Sequence, residues 1–121
     1  MFGFLLRIPG RVFGKTGLLL ITNYVTIFRM IISFKCESTE ALAKGYSVKK
    51  FVNIAPVARR KLRQLEIAGR LDDLRVPPGN RLEMLKGNRS GQFSIRINDQ
   101  WRICFDWTAA GLENVEIVDY H

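Results

Sequence analysis

The chain holds a single histidine, His121, and it is the last residue. It has only two cysteines, Cys36 and Cys104, with no Cys-x-x-Cys spacing. One histidine and two scattered thiols cannot assemble a zinc site. No metal and no cofactor are expected. Both cysteines sit in apolar, strand-like runs, which reads as buried free thiols in a cytoplasmic protein. Long apolar runs are also missing. Residues 16–28 are uncharged, but they fall short of the ~20 residues that span a bilayer.

Acidic residues are absent from residues 1–29, where Arg7, Arg11, Lys15 and Arg29 flank apolar stretches. A basic start followed by an apolar run fits a signal or membrane-interacting segment, but no small-x-small cleavage site follows. The favoured reading is instead a start placed too far upstream. On that reading 1–29 is an extension, Met30 is the real initiator, and 30–121 is the working domain. Within 30–121 there remain 15 bases against 11 acids, a net charge of +4.

What is present is positive charge. A formal charge of +8 on 121 residues favours an anionic partner, either nucleic acid or an acidic protein. The length allows one domain with one modest core.

Residues 30–36 are apolar and β-branched and predict a strand. The run Ser38-Thr39-Glu40-Ala41-Leu42 predicts a short helix that starts on a hydroxyl cap and ends near Gly45. Asn53 is a candidate cap for a second helix, with Pro56 in its first turn and Gly69 as its stop. Ala58, Leu62 and Leu65 give that helix an apolar stripe, while Arg59, Arg60, Arg63 and Arg70 occupy the other face. Asp72 and Asp73 read as local caps or solvated charges. Pro77-Pro78-Gly79-Asn80 is a turn. Four strands follow, over 82–86, 92–98, 101–107 and 114–120. The pattern is strand, two helices and four strands, an α+β domain.

One hairpin register can be worked out. Phe93, Ile95 and Ile97 alternate with Ser94, Arg96 and Asn98; Trp101, Ile103 and Phe105 alternate with Arg102, Cys104 and Asp106. Opposed residues must share a face. Only a three-residue loop, Asn98-Asp99-Gln100, sets Ile97 against Trp101 and Ile95 against Ile103. That loop also sets Arg96 opposite Arg102. The apolar face is expected to lie on the helices and the arginine face to stay open, where a bound anion would turn repulsion into attraction.

Phosphodiester cleavage without a metal needs groups that move protons and groups that absorb phosphate charge. Asp119-Tyr120-His121 and the two arginines supply both types.

Four segments carry a recognisable pattern: Met30-Ile31-Ile32-Ser33-Phe34; Pro77-Pro78-Gly79-Asn80-Arg81-Leu82-Glu83-Met84-Leu85-Lys86-Gly87; Ser94-Ile95-Arg96-Ile97-Asn98-Asp99-Gln100-Trp101-Arg102-Ile103-Cys104-Phe105; and Val115-Glu116-Ile117-Val118-Asp119-Tyr120-His121. Together they resemble the HigB toxins of the RelE/ParE superfamily over residues 30–121. The resemblance implies the RelE-like, microbial-ribonuclease-like fold: a curved, mainly antiparallel sheet with two helices packed on one side. It implies a type II toxin that cuts messenger RNA in the ribosomal decoding site, inhibits translation and is silenced by a cognate HigA-like antitoxin. The family's terminal Asp-Tyr-His falls on Asp119, Tyr120 and His121, and its sheet arginine on Arg102.

One departure stands out. Some members carry a histidine just before Leu-Lys-Gly, where this chain has Glu83 or Met84. A two-histidine mechanism is thus ruled out, and Glu83 becomes a candidate for proton transfer. Arg81, Lys86, Arg89 and Arg96 are the candidates for gripping RNA phosphates. The expected reaction is attack by the RNA 2′-hydroxyl, which DNA lacks. Two rivals share the charge pattern: a ParE-like inhibitor of DNA gyrase, and a non-catalytic nucleic-acid-binding module. Neither needs the terminal Asp-Tyr-His.

Overall fold

The computed structural model describes residues 18–21, 24–27 and 30–120. His121 and most of 1–29 lie outside the described residues, so the readings placed on His121 and on a signal or upstream start concern positions beyond them. Two short strands precede the domain. β1 (Leu18–Ile21) and β2 (Tyr24–Ile27) pair antiparallel in a sheet of their own, with Leu18 opposite Ile27. Among the described residues no helix is long and apolar enough to cross a membrane.

The main sheet has four antiparallel strands in sequential order: β3 (Glu83–Met84), β4 (Phe93–Arg96), β5 (Trp101–Trp107) and β6 (Leu112–Asp119). Helices α1 (Glu37–Ala43) and α2 (Ala55–Ile67) precede it. The core lies between helices and sheet. Leu42, Ala58, Leu62 and Leu65 meet Ile95, Ile103, Phe105, Val115 and Ile117 there.

The β4–β5 hairpin has the register derived above. Ile95 opposes Ile103, and Arg96 opposes Arg102. Ile97 N–H donates to the Trp101 carbonyl across the three-residue loop, and Asn98 Oδ1 accepts from the amides of Gln100 and Trp101, both at 2.8 Å. Energetics explain why this register wins. Each buried Ile contributes about 1.5–3 kcal/mol, whereas two opposed like charges cost roughly 0.2–1 kcal/mol. A one-residue slip would turn Ile95, Ile97 and Ile103 off the core.

Tertiary demands move several local boundaries. The strand predicted over 30–36 is not a regular strand. Two isolated parallel bridges, Ile31 to Leu112 and Phe34 to Val115, tie it to β6. Between them the ladder breaks, because the Asn114 amide donates to the Ser33 hydroxyl at 2.8 Å rather than to a carbonyl. Asn114 has φ +55°, at the register shift between β5 and β6, a bulge that bends the strand. The first helix is capped by Cys36, not by Ser38: its sulfur accepts from the Thr39 amide at 3.4 Å. Thr39 is buried and its hydroxyl accepts from the Ile117 amide at 3.0 Å. Docking Thr39 on β6 therefore starts the helix early. Asn53 does not cap α2; buried Ile54 occupies that position. A 3₁₀ turn, Lys49–Phe51, delivers the chain there, with the Ile54 amide on the Phe51 carbonyl. Pro56 does sit in the first turn. α2 stops at Ile67, two residues before Gly69, and Asp73 then takes the amides of Gly69 and Arg70, each at 3.0 Å.

Candidate active site

By strand alternation, Glu83, Ser94, Arg96, Arg102, Cys104, Glu116 and Val118 share the sheet face away from the helices. They are linked by the pairs Glu83–Ser94, Ser94–Cys104, Arg96–Arg102, Cys104–Glu116 and Arg102–Val118. This face is not open as expected. Ser94, Arg102 and Cys104 are buried. Arg89, from the β3–β4 connection, crosses the face to Glu116 on β6 at 3.2 Å and is also tied to Gln92 at 3.0 Å. Burial, its largest influence, pushes the Cys104 thiol up from its ordinary pKa; Arg89 opposes this and Glu116 adds to it. Cys104 is thus a neutral packing group.

Arg102 is the centre of the face. Its side chain is 8% exposed. Its Nε donates to the Ser94 hydroxyl at 2.7 Å, and Nη2 donates to the Arg81 carbonyl at 2.6 Å and the Ser94 carbonyl at 3.3 Å. These acceptors are neutral. The nearest carboxylate recorded, Glu83, lies 4.0 Å from Nη2 and is half exposed. A buried cation needs hydrogen bonds and a close counter-charge. Arg102 has the bonds, but its counter-charge stands at the outer limit of an ion pair. Tyr120 flanks it, with the guanidinium carbon 5.6 Å from the ring centre, a cation–π distance.

The other sequence candidates divide. Glu83 and Tyr120 are brought to Arg102. Arg96 is adjacent but ion-paired to Asp99, whose side chain is 99% exposed; surface pairs of this kind contribute about 0–1 kcal/mol. Lys86 and Arg81 are exposed on the segment that borders the face. Arg89 is held by Glu116. Asp119 does not join Arg102. It opposes Trp101, so its side chain lies on the other face, where it accepts from Gln100 Nε2 at 3.0 Å. The Tyr120 amide donates to the Gln100 carbonyl. Two bonds to Gln100 thus fasten the end of β6 beside the hairpin loop.

Sequence reasoning missed three groups. Ser94 was on the correct face and its hydroxyl could have been paired with Arg102 from the register. The Arg81 carbonyl gives no signal in a sequence. Nor does Asn80, which is fully buried beneath the turn.

Comparison with known proteins adds an independent line. Residues 44–121 match the family model described as the RelE-like toxin of type II toxin–antitoxin system HigB. Toxin HigB-1 of Vibrio cholerae serotype O1 is 54% identical over 48 residues, 40% of this chain and 50% of that protein. An uncharacterized protein of Haemophilus influenzae is 33% identical over 63 residues, 52% of this chain and 62% of that one. The chain thus spans little more than half the length of the curated relatives it matches.

Proposed function

From the premise that this chain belongs to the HigB-like family of RelE-like type II toxins, we propose that it is a ribosome-dependent mRNA endoribonuclease held silent by a cognate HigA-like antitoxin. The observation that carries the reading is Arg102: a buried guanidinium with neutral acceptors, a distant carboxylate and an aromatic neighbour. An RNA phosphate would complete its charge.

The chemistry follows from these positions. The 2′-hydroxyl of RNA attacks its own phosphorus, in line with the departing 5′ oxygen. The products are a 2′,3′-cyclic phosphate and a 5′-hydroxyl. Arg102 stabilises the charge that builds on the phosphorane; removing one such donor elsewhere costs about 10²–10³ in rate. Glu83, half exposed beside Arg102, takes the place of the missing second histidine in proton transfer. His121, one residue beyond Tyr120, is the group whose ordinary pKa lies nearest neutrality. Tyr120 stacks a base or positions a proton. Asp119, fastened to Gln100, anchors the strand end that carries both. Arg81, Lys86, Arg89 and Arg96 hold flanking phosphates, and Arg96 trades Asp99 for RNA. Residues 1–29 lie outside this scheme, as an extension to a domain over 30–121.

Cytoplasmic ribosomes are the expected location of action. Restriction to the ribosome explains how a nuclease spares naked RNA. Inducing the full chain without antitoxin should arrest growth and produce discrete new 5′-hydroxyl ends within translated messages. Growth arrest with intact messages and a DNA-damage response would replace this reading with gyrase inhibition.

A further inference from the structure

The turn that supplies a carbonyl to Arg102 is held from beneath by one side chain. Asn80 is fully buried. Its Nδ2 donates to the Leu74 carbonyl at 2.9 Å, Gln64 Oε1 at 3.1 Å and the Val76 carbonyl at 3.3 Å. Its Oδ1 accepts from Lys61 Nζ on α2. A carboxamide can donate to neutral carbonyls and accept from an ammonium at the same time; a carboxylate or hydroxyl in this place cannot do both as well. Burial first, and then the Arg60 and Arg96 charges, hold the Lys61 pKa below its ordinary value.

The next residue is Arg81, in the left-handed region at φ 46°, ψ 56°. A non-glycine residue stays there only where its surroundings hold it. The fully bonded Asn80 is the adjacent anchor. The consequence is directional: the Arg81 carbonyl is turned onto Arg102 Nη2 at 2.6 Å. With Ser94 on Nε, the Nε–Nη2 edge of the guanidinium is occupied by protein, and Nη1 is left uncommitted among the described residues.

We propose that Asn80, clamped by Lys61, is a positioning residue for Arg102: through the Arg81 carbonyl it fixes which edge of the guanidinium meets the phosphate. The proposal rests on the nuclease reading for its catalytic consequence, but not for its geometry. The chain of contacts runs from α2 through a buried amide to a strained backbone carbonyl and on to the arginine. Loss of any link frees the guanidinium to rotate without altering its charge.

The test uses the full chain and two variants, Asn80→Ala and Lys61→Met. The second keeps the aliphatic stem and carries the test should Asn80→Ala fail to fold. One arm measures solvent exchange of the Arg102 Nε–H by NMR. The other measures kcat and KM on ribosome-bound message. Expected are exchange at least about tenfold faster than wild type, a kcat lowered about 10²-fold and an unchanged KM. Unaltered exchange overturns the positioning role, as does faster exchange with a wild-type kcat. Should the wild type cut no message, the nuclease reading fails, and the NMR arm still decides whether Asn80 and Lys61 orient Arg102.

Discussion

Gly111→Ala is the most informative single substitution for the packing of the domain. Gly111 has φ +150° and precedes β6. A β-carbon there would lie 2.5 Å from the Met30 carbonyl oxygen and 2.9 Å from Ile32 Cδ1. Ile32 is partly exposed and can swing away. The Met30 oxygen is backbone, and it already accepts from the Leu112 amide at 3.0 Å. Two penalties arise. The unusual φ costs about 1–3 kcal/mol for a residue with a β-carbon. The clash is relieved by lifting Met30 and Ile32 off β6, which breaks the Leu112-to-Met30 bond and the 2.7 Å bond from Ile32 to Leu112. Each such bond contributes about 0.5–1.5 kcal/mol. The expected total loss is about 2–6 kcal/mol. Urea unfolding measures that total, and amide exchange locates it: Ile32 and Leu112 should lose protection, while Ile103 and Phe105 in the central strand should fall only with global stability. A variant within about 0.5 kcal/mol of wild type, with Leu112 still protected, would refute the docking of residues 30–35 as the reason this position is glycine.

Three other outcomes follow from the structure. The Asp73 carboxylate is held below its ordinary pKa by the Arg70 amide first and the Gly69 amide next. A depressed folded value means stabilisation that is full above the unfolded value and fades as pH falls through the folded one. The Tm gap between wild type and Asp73→Asn should therefore be widest above about pH 4 and close in stronger acid; a gap that persists unchanged to pH 2 would contradict the two amide bonds. Cys104 is buried with a raised pKa, so a thiol reagent should label partly exposed Cys36 well before Cys104, and equal rates in the folded protein would show that Cys104 is not buried. Finally, one 2′-deoxynucleotide at the cut position of a ribosome-bound message should abolish cleavage there, whereas undiminished cutting would require another nucleophile.

Much of the fold was legible because alternation is a strong signal where one face is buried. Residues 101–107 emerge with the same bounds in sequence and structure, and Ile95, Ile97 and Ile103 identify the three-residue loop without coordinates. The stripe Ala58, Leu62, Leu65 likewise predicts the face α2 buries. Helix ends were less legible, since Thr39 and Ile54 take their places from contacts with β6 and the core rather than from local capping rules. The site was legible in its residue types and less so in its depth. Nothing local to Arg89 shows that it reaches Glu116, 27 residues away, across the face that carries Cys104. The separation of Asp119 from Tyr120 could have been read by extending the alternation one strand further. Asn80 could not, because its partners on α2 are distant in sequence and its own context reads only as a turn.

The central claim is that the buried, oriented Arg102 guanidinium, and not merely local positive charge, stabilises a phosphate in the transition state. The direct measurement is the rate at which Arg102→Lys cuts ribosome-bound message. Lysine keeps the charge but loses the planar guanidinium, which is held by Ser94 and Arg81 along one edge while Nη1 is left for the phosphate. A folded variant with kcat lowered by about 10² or more and near-normal ribosome binding is the predicted result. Cleavage at the wild-type rate would contradict it.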